Sequence, residues 1–320
     1  QSRSSAASDV YKRQHYIWKN MPNYSFLKEA KVYIVYGTTK KQLDISSVSF
    51  SQTFTEETRS VKTLHNQNNM FEGSVINTAN PANFEITTNL LIEDASKIVF
   101  DRLTDTNSFD LYISTESDVF YLEKCVITNG TINIERLRPL SLSISGEASK
   151  LLTGQATEFA AESITVLRTS ASSRTYNLSP DLTVALGGTD IHGHLVSMSI
   201  ELQNEIDWIP WKTVNNALVA GNTMYPTQFN LKGKVLAGNI TRYLNSDSKA
   251  DAGIHGITQS LRIKAGTLIS NTFYGIDLNT TNCSFTNRVG VDTAFTQNID
   301  WRMVQNPASL ADVFKYETQS

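Results

Sequence analysis

Few residues in this chain could carry out chemistry. His192-Gly193-His194 would set two imidazoles on one face of an extended segment, a geometry that metal sites use. No third ligand is spaced nearby, and Gly187-Gly188 upstream is turn material, so the pair reads as surface or hairpin histidines. Neither Cys-x-x-Cys, His-Glu-x-x-His nor a calcium-loop spacing occurs. Nucleophile-elbow and glycine-rich phosphate motifs are missing as well. The carboxylate pairs Glu56-Glu57 and Glu93-Asp94 fall in polar loop or cap positions, where solvation is expected rather than acid–base work. Folding could still bring two distant carboxylates together, as in a glycosidase, because spacing along the chain does not reveal that. The expectation is a protein without enzymatic activity, metal or cofactor.

Composition narrows the function classes further. Ser4 to Gln14 looks like the in-frame translation of a sequencing adapter, so residues 1–20 are expected to be a non-native leader, with Met21 the true start. Setting aside residues 1–14 removes Arg3, Lys12, Arg13 and Asp9 and moves the net charge from −3 to −5. No basic run or stripe remains to hold nucleic acid. No apolar stretch approaches the ~18–20 residues of a membrane span. Cys125 and Cys283 read as buried small hydrophobes of a reducing cytoplasm, near similar places in the two halves but unaligned, with Cys125 facing Leu278.

Strands must position whatever site there is. Lys31–Tyr36 and Asp110–Ser114 are rich in β-branched and aromatic residues. Val48, Phe50, Gln52 and Phe54 alternate with Ser49, Ser51 and Thr53, the period of a half-buried strand, and 140–145 and 196–202 do the same. Asn129-Gly130 predicts a type I′ hairpin between strands at 118–127 and 131–136. One short helix is expected per half, at Ala95–Leu103 behind an Asp94 cap and near 239–245. A C-terminal helix is expected over Ser309–Tyr316 and a linker over 154–160, dividing the chain into domains at 21–153 and 161–320.

Each half also has a long segment between its early strands, Thr55–Asn83 and Gln203–Gln228, where uninterrupted loops are uncommon. The first carries Leu64, Met70, Phe71, Val75 and Ile76; the second carries Trp208, Ile209, Trp211, Leu218 and Met224. They read either as loops folded over their own core or as arms that dock apolar anchors on a neighbouring subunit.

Three short echoes recur in order. Val48-Ser49-Phe50-Ser51 returns at Val196–Ser199, Pro81–Ile86 at Pro226–Leu231, and Phe120-Tyr121 with Thr128-Asn129 at Phe273-Tyr274 with Thr281-Asn282. They point to a duplicated unit of roughly 145 residues, a size usual for one domain. The strand-arm-strand units 48–90 and 196–236, the helices near 95–103 and 239–245, and the paired strands around Phe120–Arg136 and Phe273–Arg288 resemble the tail tube proteins of long-tailed bacteriophages. The likeness is to the variety with two fused tube domains. It implies a mainly β protein of two tandem β-sandwich or half-barrel domains, each with one short flanking α-helix and a long inter-strand arm. It further implies a virion protein that forms homotrimeric, pseudo-hexameric rings stacked into a tube. DNA would pass through the lumen without specific binding. The partners would be the tape-measure protein and other tail proteins, with no membrane. The runner-up is a baseplate or contractile-injection component of the same fold. A carbohydrate-binding module using Trp208 and Trp211 is the alternative from another class.

Overall fold

The computed structural model describes residues 30–318, apart from 60–72, 93–96, 136–137, 162–165, 168–174, 179, 210–223, 245–257, 292–293, 305–306 and 308. The expected leader, the Asp94 cap and the middles of both long segments lie outside the described residues. No helix among the described residues is long and apolar enough to cross a membrane.

The first half runs β1 (Lys31–Tyr36), β2 (Thr39–Leu43), β3 (Ile45–Ser51), β4 (Phe54–Arg59), β5 (Gly73–Ala79), β6 (Ala82–Asn89), α1 (Lys97–Asp105), β7 (Phe109–Ser114), β8 (Val119–Glu135), β9 (Ser141–Ala148) and β10 (Lys150–Leu152). A short helix, α2 (Ala156–Ala161), and the two-residue β11 (Val166–Leu167) follow. The second half runs β12 (Asp181–Leu186), β13 (Thr189–Asp190), β14 (Leu195–Ile209), β15 (Gln228–Tyr243), β16 (Thr258–Ile269), β17 (Thr272–Val291), β18 (Phe295–Met303), α3 (Leu310–Val313) and β19 (Phe314–Glu317). The protein is mainly β, as its alternating patterns led one to expect.

One strand order occurs twice. The first half pairs β2-β1-β7-β8-β9-β6-β3, and the second pairs β13-β12-β16-β17-β18-β15-β14, all antiparallel. In both, a two-residue turn with a left-handed glycine closes the first hairpin, at Gly37 (φ 57°) and Gly187 (φ 55°), where a Cβ would be strained. The long strands β8 and β17 each pair with different strands at their two ends, and an irregularity marks where the partner changes. The halves meet where β14 pairs with the outer edge of β8.

Burial follows the pleat. Along β9 every second residue (Leu142, Ile144, Gly146, Ala148) is buried, and β6 does the same with Ala82, Phe84, Ile86 and Thr88. These side chains join those of β14, β15, β17 and β18 in one apolar core that spans both halves. α1 closes the core of the first half with Val99, Phe100 and Leu103.

Several expected elements differ. Asn129-Gly130 is no turn: neither residue has positive φ, and β8 runs straight through. Gly130 instead lies beneath Leu103 of α1, where an added Cβ would come within 2.4 Å of the Leu103 side chain. The helix expected at 239–245 is strand, because Asn239–Tyr243 pairs on both edges with β14 and β18; the ladder outweighs a weak helical spacing. Only Leu310–Val313 of the expected C-terminal helix is helical, since Phe314–Glu317 adds a strand to β17. The stretch read as linker holds α2, whose Phe159 packs on Tyr33 and Tyr112 and accepts a hydrogen bond from Lys40 Nζ at 3.0 Å.

Candidate assembly surface

Pairing brings eight strands into one continuous sheet, β3-β6-β9-β8-β14-β15-β18-β17. Its two faces are chemically unlike. One is the core. On the other, a single row crosses all eight strands: Ser47, Thr87, Ser143, Thr131, Glu201, Ala237, Arg302 and Ser284. A neighbouring row reads Asn89, Ser141, Asn133, Ser199, Asn239, Asp300 and Thr286. Small hydroxyls and amides dominate because this face stays at least partly solvated while its alternate residues fill the core.

Side chains knit this face across strands. Thr87 and Ser143 hydroxyls meet at 3.1 Å, Asn239 Nδ2 donates to Asp300 at 2.6 Å, and Thr241 donates to Asn298 at 2.9 Å. Its charges are sparse and net acidic: Glu85, Glu135, Glu147, Glu201 and Asp300 against Arg288 and Arg302. Arg288 pairs with Asp300 at 3.4 Å.

The seam between halves is closely bonded. Met198 opposes Ile134 and Ile200 opposes Ile132, all four buried. Buried Asn204 of β14 donates from Nδ2 to the carbonyls of Leu103 (3.1 Å) and Ile127 (2.9 Å), tying the second half to α1 and β8. Lys234 Nζ donates to Thr104 O at 2.6 Å. Burial holds the Lys234 pKa below the usual lysine value, with Asp105 opposing the shift. At the far end Phe314 and Tyr316 clasp α1, with Phe100 and Phe314 ring centroids 4.8 Å apart and the Tyr316 hydroxyl donating to Leu91 O.

The described parts of both long segments are paired antiparallel strands. β4 pairs β5, and the ends of β14 and β15 pair likewise, with a bulge between Thr55 and Glu56 and between Glu205 and Ile206. Leu64, Met70, Phe71, Trp211 and Leu218 lie outside the described residues. Val75 and Ile76 are in β5, Trp208 and Ile209 end β14, and Met224 lies just before β15. Trp208 anchors the second arm on the chain's own first half, its indole N–H donating to Glu147 Oε2 at 2.7 Å and its ring packed on Phe229. The base of this arm also meets the first: Tyr225 lies edge-on to Phe54.

The residues first considered for chemistry do not converge. His192 pairs with its neighbour Asp190 on the surface, and no metal-holding group occurs among the described residues. The cysteines are free and buried, and here the sequence alignment needs correction. Cys125 opposes Phe109 and Cys283 opposes Gln259, each beside the same irregularity, so they occupy equivalent places despite the unaligned spacing. Burial raises both thiol pKa values, and a contact from Thr280 partly opposes this at Cys283.

The chain that folds into this twice-built sheet matches the model of the bacteriophage baseplate tube protein family over residues 22–104 and 99–319. The chain belongs to the bacteriophage baseplate tube protein family. It is thus a structural component of the phage tail and baseplate, and of its two readings in that class the baseplate one carries the family's own description. Among solved structures, a chain of the anti-feeding prophage (AFP) baseplate, determined by cryo-EM with 6-fold symmetry, aligns at 10% identity and a TM-score of 0.34 over 42% of this chain and 96% of that one. No curated protein matches. The sequence had not singled out which carboxylates stand on the polar face; strict serine alternation at 141–145 and 47–51 marked the face itself.

Proposed function

We propose that this baseplate tube family member is a non-catalytic wall protein whose copies form stacked rings, with the polar face of the eight-stranded sheet lining a conduit for DNA. The observation that carries this reading is the continuity of that face: it crosses the seam between halves without a break, while its reverse is core. Such a sheet needs only further copies at its ends to close. Two similar halves per chain make a ring of three copies pseudo-sixfold. The wall chemistry suits passage of a polyanion. Lysine- or arginine-rich linings hold DNA by releasing counterions, whereas Ser, Thr and Asn with a net acidic balance do not. The tape-measure protein and other tail proteins are the expected partners, and the virion is the site of action. Sedimentation of the full chain over rising concentration tests the ring: a species of three copies supports it, and a chain monomeric throughout counts against it.

A further inference from the structure

A cavity of about 370 Å³ lies between β14, β15, the end of β18 and α3. Leu202 and Leu236, both buried in the shared core, line it together with half-buried Leu231, Met303 and Leu310. That volume falls in the range of about 300–1,000 Å³ usual for small-molecule sites, which combine apolar walls with a few placed polar groups.

The charged groups in the lining are Lys232 and Lys234, and their surroundings differ. Lys232 Nζ lies 3.2 Å from Asp207 Oδ2, an ion pair open to solvent. Lys234 Nζ instead donates to the carbonyl of Thr104, and among the described residues no carboxylate forms an ion pair with it. Asp105 attracts it without contact, while burial disfavours its charge. An ammonium has three donors and the Thr104 carbonyl takes one. A half-buried cation answered by a carbonyl dipole gains from an anion brought to it.

We propose that this cavity binds a small amphiphilic carboxylate of the medium-chain fatty acid class, with the carboxylate on Lys234 and the hydrocarbon chain against Leu202, Leu231, Leu236, Met303 and Leu310. A plain hydrocarbon would leave the ammonium unanswered, and a small inorganic anion would leave the apolar walls unfilled. Lys232, already paired with Asp207, is not the anchor. The site does not depend on the ring reading above, because every residue in it comes from one chain.

The test is calorimetric titration of the full chain with octanoate, below the concentration at which octanoate self-associates. Saturable one-to-one binding is expected. Hexanoate should bind roughly tenfold more weakly, because two methylenes fewer are buried. Lys234→Met should weaken octanoate at least about tenfold and leave binding of neutral octanol unchanged, whereas Lys232→Met should leave octanoate unchanged. Leu231→Trp, which puts a larger side chain at the cavity, should weaken octanoate and octanol alike. Octanoate that does not saturate at millimolar concentration overturns the site, as does hexanoate binding equally well or Leu231→Trp binding both as the wild type does. Octanoate held equally by a folded Lys234→Met chain overturns the role of the ammonium. Should Lys234→Met lose the wild-type melting temperature, the chain-length series and Leu231→Trp decide.

Discussion

Phe84 and Gly146 oppose one another across β6 and β9, and the phenyl ring fills the space that a Cβ on Gly146 would need, 2.4 Å away. At the equivalent place in the second half the sizes are exchanged: Gly238 opposes Trp301, whose ring would lie 2.7 Å from an added Cβ. Both solutions put one aromatic and one glycine into the same slot. Gly146→Val and Gly238→Val should therefore each cost about 1–3 kcal/mol or more through overpacking, read as a lower urea midpoint. F84G with G146F should recover part of the loss of the single substitutions, which a double-mutant cycle measures.

Asn204 holds the halves together through two donated hydrogen bonds in a buried site. Asn204→Ala should lower stability by about 1–3 kcal/mol. Hydrogen exchange should locate the loosening at the end of α1 and in β8. A change confined to β14 and β15 would mean that the seam does not depend on this side chain.

Burial disfavours the thiolate, so the Cys125 thiol is held well above the usual thiol range and the Cys283 thiol above its ordinary value. An unfolded thiol titrates near ~8.5, so above that pH the folded state holds protons that the unfolded state loses. The stability these thiols add is full below about pH 8.5 and falls as pH rises. The urea midpoint should drop between pH 8 and 10, and C125A/C283A should show a shallower drop. A thiol reagent should label the native chain only as it unfolds.

Glu85 and Glu201 stand on the polar face. Reversing both, E85R with E201R, should give assemblies that retain DNA, with affinity falling steeply as salt is raised, whereas the wild-type assembly should not. Equal DNA retention by both would remove the polar face from the conduit.

Much of the β architecture was legible because one face of each strand is core: alternation marks β3, β9 and β14 directly. Register was not. Pairing makes Ile86 the equivalent of Ile240 and Cys125 the equivalent of Cys283, so the echoes of Pro81–Ile86 at Pro226–Leu231 and of Phe120-Tyr121 at Phe273-Tyr274 are out of structural register. The strand order repeats all the same, including β1 with β2 and β12 with β13, where no echo was visible. Cross-strand partners constrain size and burial, not identity, as Phe84 with Gly146 against Gly238 with Trp301 demonstrates. The Asn129-Gly130 turn signal and the helical spacing after Asn239 were local preferences overruled by long ladders. Trp208 was read as an anchor for a neighbouring subunit; its contact within the chain, Glu147, lies 61 residues away in sequence and emerges only on folding.

The most direct test of the central claim is a cryo-EM reconstruction of the assembled full chain. The account predicts a ring of three copies with six similar sheet segments and Ser143, Thr131 and Glu201 facing the lumen. A ring with these residues on its outer surface would contradict it.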